Sequence, residues 1–81
     1  MNKPDNPFQY VRDLLVEKFD IPADAIQPEA LLADDLGIDS IDAVDMIVYM
    51  RDVTGGRVTP DRFKTVRTVQ DVVDLVDHVM A

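Results

Sequence analysis

The sequence contains no cysteine and only one histidine, His78, among its 81 residues. The lack of cysteine excludes a disulfide framework, a thiolate zinc site and a cysteine nucleophile. His78 has no acid–base partner in the pattern, so a nucleophilic triad of the usual composition is excluded as well. Because no catalytic set can be assembled from the other residues, we expect a protein that is not an enzyme.

Long apolar runs are also missing. No segment approaches the length of a membrane span, and residues 1–7 lack the hydrophobic core of a signal peptide. We therefore expect a soluble, cytoplasmic protein with no membrane span. A length of 81 residues is near the lower limit for a domain without metal or disulfide, so we expect a single domain over residues 1–81, with its core at about 7–80.

Positive charge is scarce, since 8 lysines and arginines stand against 16 aspartates and glutamates, for a formal net charge of −8. Direct binding to nucleic acid is not expected, because phosphate contacts need clustered lysine and arginine. The charge favours basic partners. Residues 51–67, here called the basic segment, are the exception, because they hold five basic and two acidic side chains.

Four segments have the spacing and the end signals of helices. The first begins after Asn6 as N-cap, with Pro7 at a position where a missing N–H costs nothing and Gln9 completing a capping box. After it, a long connection runs from about residue 20 to residue 39, and we expect a short helical turn near residues 28–32. The apolar residues expected to pin this connection to the core are Ile26, Leu31, Leu32, Leu36 and Ile38.

The second helix is predicted over residues 40–54, with Gly55 and Gly56 as a left-handed stop. One of its sides is apolar apart from a final arginine and consists of Ile41, Val44, Ile47, Val48 and Arg51. Much of the opposite side consists of Asp42, Asp45, Tyr49 and Asp52. Met46 and Met50 lie between the two sides, and we expect them to fill gaps in the core or, alternatively, to line a pocket.

A short third helix is predicted over residues 60–64, and the last helix begins after Thr68 as N-cap, with Asp71 in the box position. Valine favours strands, but the apolar residues of this segment recur every three or four positions, as in a helix. They are Val69, Val72, Val73, Val76, Val79 and Met80. The four segments together predict an all-α fold.

Ser40 lies at the exposed start of the second helix, after a loop that tightens at Gly37 and with Asp39 as N-cap. The stretch Asp34-Asp35-Leu36-Gly37-Ile38-Asp39-Ser40-Ile41 resembles the phosphopantetheine attachment site of acyl carrier proteins. The similarity extends from about Phe8 to Val79 and includes Thr68-Val69-Gln70 at the start of the last helix. Ile41 is a departure, because the family usually has leucine there.

The resemblance implies a four-helix bundle of acyl-carrier type, with a long first loop and a short third helix. It also implies that Ser40 is esterified by 4′-phosphopantetheine from coenzyme A, and that the terminal thiol carries an acyl chain as a thioester. Asp39 and Ile41 would take part in recognition by the phosphopantetheinyl transferase. The acyl pocket implied for this sequence consists of Val44, Ile47, Val48 and Phe63, and we expect the bulk of Tyr49 and Phe63 to make it shallow.

Other partners implied by the family are a ketosynthase and further acyl-processing enzymes with basic docking patches. We expect the protein to be a monomer when free and to bind these enzymes one after another. The acidic docking surface would consist of Asp34, Asp35, Asp39, Asp42, Asp45 and Asp52. Arg51 and Arg62 depart from the pattern of fatty-acid carriers and would select particular partners. We therefore expect a dedicated type II polyketide or specialised fatty-acid pathway, and residues 63–69 are similar to carriers of aryl-polyene clusters.

Two alternatives remain open on the sequence. A peptidyl or aminoacyl carrier uses the same modification, although the segment from Leu36 to Asp39 favours acyl cargo. An acidic helical adaptor would use the charged surface without any prosthetic group. A metal site is not expected, because neither Asp34 nor Asp35 begins a loop with the spacing of an EF-hand.

Overall fold

A computed structural model describes residues 6–80, with Met80 described by its backbone alone. The described residues form helices and no β-strand, apart from one antiparallel bridge between Leu31 and Thr68. This confirms the predicted all-α class. The α-helices are α1 (Pro7–Phe19), α2 (Ser40–Tyr49), α3 (Arg51–Thr54), α4 (Pro60–Phe63) and α5 (Val69–Met80), with a 3-10 helix at Ala23–Ala25.

Helix α1 begins as predicted, because the Asn6 side chain accepts a hydrogen bond of 3.2 Å from the Gln9 backbone N–H. The Gln9 side chain does not complete a capping box. It lies along the helix instead, where its amide donates to the Asp13 carboxylate at 2.7 Å. The predicted box is therefore only half formed, because the Gln9 side-chain oxygen, which would accept from the Asn6 N–H, accepts from the Arg12 guanidinium at 3.4 Å instead.

The core lies mainly between α1 and α5. Helix α1 contributes Val11, Leu14 and Leu15, all of them buried. The predicted stripe of α5 is buried over its described length, at Val69, Val72, Val73, Val76 and Val79. The side chain of Met80, also predicted in this stripe, lies outside the described residues. An apolar stripe of this width explains why a segment rich in valine is helical, since packing outweighs its low helix propensity.

The predicted second helix is interrupted, which corrects the expectation of one helix over residues 40–54. At Met50 the backbone has a ψ of 1°, away from the helical value near −42°. The Met50 carbonyl accepts from both Val53 and Thr54, so the turn tightens and α3 starts at once. The side chains of Met50 and Thr54 are both buried at this junction. The predicted stop is confirmed, because Gly55 ends α3 with a φ of +64°.

The long connection contains its short helix at Ala23–Ala25, earlier than predicted, because residues 28–32 are held by the start of α5 instead. The N–H groups of Val69 and Gln70 donate to the carbonyls of Ala30 and Pro28, at 3.0 and 2.8 Å. These bonds satisfy donors that a helix start leaves unpaired. Of the predicted pins, Ile26, Leu32 and Ile38 are buried, Leu36 is half-buried and Leu31 is exposed.

Between residues 6 and 80, no helix has both the length and the apolar character that crossing a membrane requires. The short helix α4 begins as predicted, with the Thr59 side chain accepting from the Arg62 N–H at 3.4 Å. It packs beside α2 and places Phe63 in the core. The long connection, α2 and α4 therefore surround one region, on which the residues of interest converge.

Candidate functional site

The loop before α2 is fixed on both sides of its turn. Gly37 has a φ of +70°, which favours glycine and confirms the predicted tightening. Its N–H donates to the Ala33 carbonyl at 3.1 Å, and the next N–H, of Ile38, donates to the Leu32 carbonyl at 2.8 Å. The Ile38 side chain is buried. The backbone therefore enters α2 from a position set by the core.

Asp39 is the N-cap of α2 as predicted, and it forms a capping box with Asp42. One carboxylate oxygen of Asp39 accepts from the backbone N–H groups of Ile41 and Asp42, both at 3.0 Å. The Asp42 carboxylate accepts in return from the Asp39 N–H at 3.4 Å. Both acids that flank Ser40 are thus occupied in fixing the helix start.

Ser40 is the first residue of α2, and its side chain is exposed. It is also the only serine in the sequence. The start of a helix carries a partial positive charge, which suits an anionic phosphodiester on a first-turn side chain. No histidine or lysine adjoins it in the chain to act as a base, and its acidic neighbours already accept backbone hydrogen bonds. The arrangement fits a hydroxyl that an enzyme modifies, and it gives the hydroxyl no local activation.

A cavity of about 510 Å³ opens beside Ser40. Its walls come from the loop before α2, from α2 itself, and from α4 with the chain that follows it. Three of the four residues predicted for an acyl pocket line it, namely Val44, Ile47 and Phe63. Val48 does not line it and is 55% exposed, because it points away on the outer side of α2.

The two sides of α2 differ from the sequence-based assignment. Met46 and Met50 are fully buried, so they fill the core and do not line the cavity. Much of the predicted apolar side is exposed, and Ile41 reaches 71% exposure. Tyr49 packs edge-to-face on Phe19 of α1, with ring centroids 5.9 Å apart, and therefore does not narrow the cavity as predicted. The core-facing side of α2 is therefore the one with the two methionines, as the first of the two expectations for them had it.

The predicted docking acids take up different positions. Asp34 and Asp39 line the cavity, and Asp45 is exposed on α2. The Asp35 side chain accepts from the Leu31 N–H at 2.8 Å, so it holds the loop in shape. The remaining acid, Asp52, is exposed on α3.

Asp52 is close enough to α1 to act on Tyr10. Burial raises the pKa of the Tyr10 phenol, and the negative charge of Asp52 raises it further. Arg51 and Arg62 are exposed on α3 and α4. The structure therefore gathers Asp34, Asp39 and Asp42 around the start of α2. Asp35 is held in the loop before it, and the other predicted partner residues lie along α2, α3 and α4.

The cavity also has two cationic residues that the sequence did not assign to it, Lys64 and Arg67. In the sequence, the only indication that these two residues act together is that both belong to the basic segment and lie three positions apart. Arg57, in the same segment, has a different role, because its guanidinium donates to the Val79 carbonyl at 2.8 Å near the end of α5. Within residues 6–80, no cluster of three or more histidine, cysteine or acidic side chains is arranged to hold a metal ion.

Residues 9–76 match the family model described as "Phosphopantetheine attachment site". The chain belongs to this family. It is 42% identical over 71 residues to "Acyl carrier protein 2" of Ralstonia nicotianae, covering 88% of each chain. It is also 35% identical over 74 residues to "Acyl carrier protein" of Saccharopolyspora erythraea, covering 91% of this chain and 78% of that one.

Family membership identifies the general function as that of an acyl carrier, with 4′-phosphopantetheine as the prosthetic group. The residues at the start of α2 fit this group, because the one serine is exposed there and its backbone is fixed by Asp39 and Asp42. When attached, the group supplies a thiol that holds an acyl chain as a thioester. The family also implies transient contact with acyl-processing enzymes.

Proposed function

We propose that this protein carries acyl intermediates as thioesters on 4′-phosphopantetheine attached to Ser40, in a dedicated type II polyketide or specialised fatty-acid pathway. The observation that carries the proposal is the exposed Ser40 hydroxyl at a rigid helix start, beside a cavity of about 510 Å³. The protein supplies no catalytic group to the bond chemistry. It holds the cargo at high effective concentration at each partner's active site.

The cavity is proposed as the acyl pocket. Its volume lies in the usual range for small-molecule sites, about 300–1,000 Å³. Val44, Ile47 and Phe63 give it apolar walls on which a chain displaces water.

The outer surface of α2 is proposed as the docking site for the transferase and the ketosynthase. Asp45 is exposed on α2 and Asp34 on the loop before it, and such charges favour fast, salt-sensitive encounter with basic patches. On α2 itself, Ile41, Val44 and Val48 expose an apolar surface that a partner can cover.

The exposed Arg51 and Arg62 support the narrower proposal of a dedicated pathway. In the described part of the chain they lie on helices of their own, α3 and α4, outside the acidic start of α2. A partner that docks over both regions needs acidic groups opposite the arginines as well as basic groups opposite the aspartates. A ketosynthase with a uniformly basic patch would be repelled by Arg51 and Arg62.

The test is the intact mass of the purified protein before and after incubation with coenzyme A and a broad-specificity phosphopantetheinyl transferase. We expect one phosphopantetheine increment in the natural protein and in Thr65→Ala, a control that removes another exposed hydroxyl. Ser40→Ala should show no increment. An unmodified natural protein with a native helical spectrum would contradict the proposal and favour the acidic adaptor.

A further inference from the structure

The cavity beside Ser40 has a charge pattern that an apolar chain does not require. Most of its lining is apolar, but Asp34 and Asp39 lie at the Ser40 side, while Lys64 and Arg67 lie on the wall that follows α4. The two cations come from the basic segment, which the attachment of a prosthetic group does not explain. The cavity therefore combines an apolar interior with separated negative and positive edges.

The cationic edge is built on a fixed backbone. The Arg67 N–H donates to the Asp71 carboxylate at 3.0 Å, and the Arg67 carbonyl accepts from the Leu32 N–H at 2.9 Å. These bonds hold the residue between the start of α5 and the long connection, while its side chain is exposed. The backbone of this cavity-lining residue is thus held in place, and its long side chain is free to reach an anion in the cavity.

Lys64 is held only weakly by its own neighbours. Its ammonium lies 3.6 Å from the Asp61 carboxylate, with both side chains largely exposed, at 77% and 91%. Exposed pairs of this kind contribute little to stability, so an anion that enters the cavity can compete with Asp61 for Lys64. Arg62, two residues earlier, does not line the cavity.

We propose that Lys64 and Arg67 form a subsite for an anionic oxygen group that the prosthetic arm or its cargo brings to the cavity. The proposal rests on attachment at Ser40. Two groups have the required chemistry, the phosphodiester of the arm and a carboxylate at the far end of an acyl chain. Arginine can bind either one through two parallel N–H groups, and lysine adds a second positive charge beside it.

For a carboxylate at the end of the cargo, the charge pattern also sets the orientation. Asp34 and Asp39 repel it from the Ser40 side of the cavity, whereas Lys64 and Arg67 attract it to the wall after α4. A chain without charge gains nothing from this arrangement. The subsite therefore discriminates by charge between acyl chains of equal length, which the apolar walls alone cannot do.

The experiment compares four states of the natural protein by NMR, with the side-chain nitrogens of arginine and lysine isotopically labelled. The states are the unmodified protein, the phosphopantetheinyl form, and forms loaded with butyryl or succinyl through a stable amide in place of the thioester. Butyryl and succinyl have the same number of carbons and differ in the terminal carboxylate. Intact mass confirms loading at Ser40 in each sample, so a failure of attachment is recognised separately from a failure of the subsite.

If the phosphodiester is the ligand, the Arg67 and Lys64 signals shift on conversion to the phosphopantetheinyl form and then stay constant. If the cargo carboxylate is the ligand, they shift several-fold more with succinyl than with butyryl. Either shift should disappear at high salt. Signals that are the same in all four states would overturn the proposal.

Matched variants separate the subsite from the general charge of the surface. In a protein with Lys64→Gln and Arg67→Gln, the NMR signals of Val44 and Phe63 should no longer differ between the form that carries the anionic group and the matching form without it. Arg62→Gln removes one charge close by in the chain but outside the cavity, so the distinction should persist. Loss of the distinction in Arg62→Gln to the same extent would contradict a specific role for the cavity residues.

Discussion

At the scale of single residues, Thr54 departs from the rule that buried polar groups are paired. It is 3% exposed, and its hydroxyl is the one buried side-chain polar atom between residues 6 and 80 with no hydrogen-bond partner. It lies in α3, a four-residue helix that packs on α5. An unpaired buried hydroxyl costs its full desolvation free energy, about 1–3 kcal/mol.

We predict that Thr54→Val raises the free energy of unfolding by about 1 kcal/mol, because valine keeps the shape and removes the unpaired hydroxyl. Urea unfolding followed by circular dichroism measures the change. Thr54→Ser is the control, since it keeps the hydroxyl and loses the methyl group, and it should be less stable than the natural protein. A Thr54→Val protein that is less stable as well would mean that the hydroxyl has a partner in solution.

At the scale of elements, the start of α5 joins two parts of the fold. The Asp71 carboxylate accepts from the backbone N–H groups of Arg67 and Thr68, at 3.0 and 3.1 Å, and the Thr68 hydroxyl accepts from the Asp71 N–H at 3.1 Å. The hydrogen bond from Arg67, followed by that from Thr68, lowers the pKa of Asp71 below its ordinary value of 3.8. The ionised carboxylate therefore stabilises the folded state.

Because the pKa of Asp71 is lower in the folded protein, its contribution is complete above the unfolded value and is lost as pH falls through the folded value. We predict that Asp71→Asn lowers the free energy of unfolding at neutral pH by about 1 kcal/mol. The difference from the natural protein should shrink below about pH 4, as shown by urea unfolding at several pH values.

Asp74→Asn is the matched control for this prediction. Asp74 is an exposed acid of the same helix, and its side chain accepts from the Gln70 amide at 2.8 Å, a bond that asparagine can also accept. It should change stability by less than about 0.5 kcal/mol. Equal effects of the two substitutions would show that the change in net charge, and not the loss of the helix cap, alters the free energy of unfolding.

The starts of the α-helices and the buried stripe of α5 were predictable from sequence, whereas the break after α2 and its core-facing side were not. The caps at Asp39, Thr59 and Thr68 depend on contacts within three residues, which a sequence displays directly. The break at Met50 and the burial of Met46 depend on which neighbours α2 meets, and no local pattern encodes that.

The candidate site shows the same division. Ser40 and its flanking acids could be found from sequence, because the loop turn, the cap and the attachment motif are contiguous. The cavity could be predicted only in part, since its lining comes from separate segments whose meeting depends on the packing of α2 against α4. Val48 was predicted to line the cavity and does not. Lys64 and Arg67 line it because the fold brings α4 and the chain after it beside α2.

At the scale of the whole molecule, the charge is unbalanced and little of it is paired. The net charge is −8, and the one ion pair in the described part of the chain joins Lys64 to Asp61 at the surface. Asp34, Asp45 and Asp52 are exposed. Like charges at this density repel one another more in the compact state than in the unfolded chain, so the fold is opposed by its own charge.

We therefore predict that salt stabilises the protein. Raising KCl from about 20 mM to about 500 mM shortens the screening length from roughly 20 Å to roughly 4 Å, which suppresses repulsion across the surface. A gain of about 1 kcal/mol corresponds to a rise of roughly 4–8 °C in Tm for a domain of this size, measurable by calorimetry. Asp34→Asn with Asp45→Asn should raise Tm at low salt and reduce its salt dependence, because two repelling charges are gone. A Tm that is constant or falls with KCl would contradict this prediction. It would mean that attraction between the basic segment and the acidic side chains outweighs the repulsion, through ion pairs that form in solution.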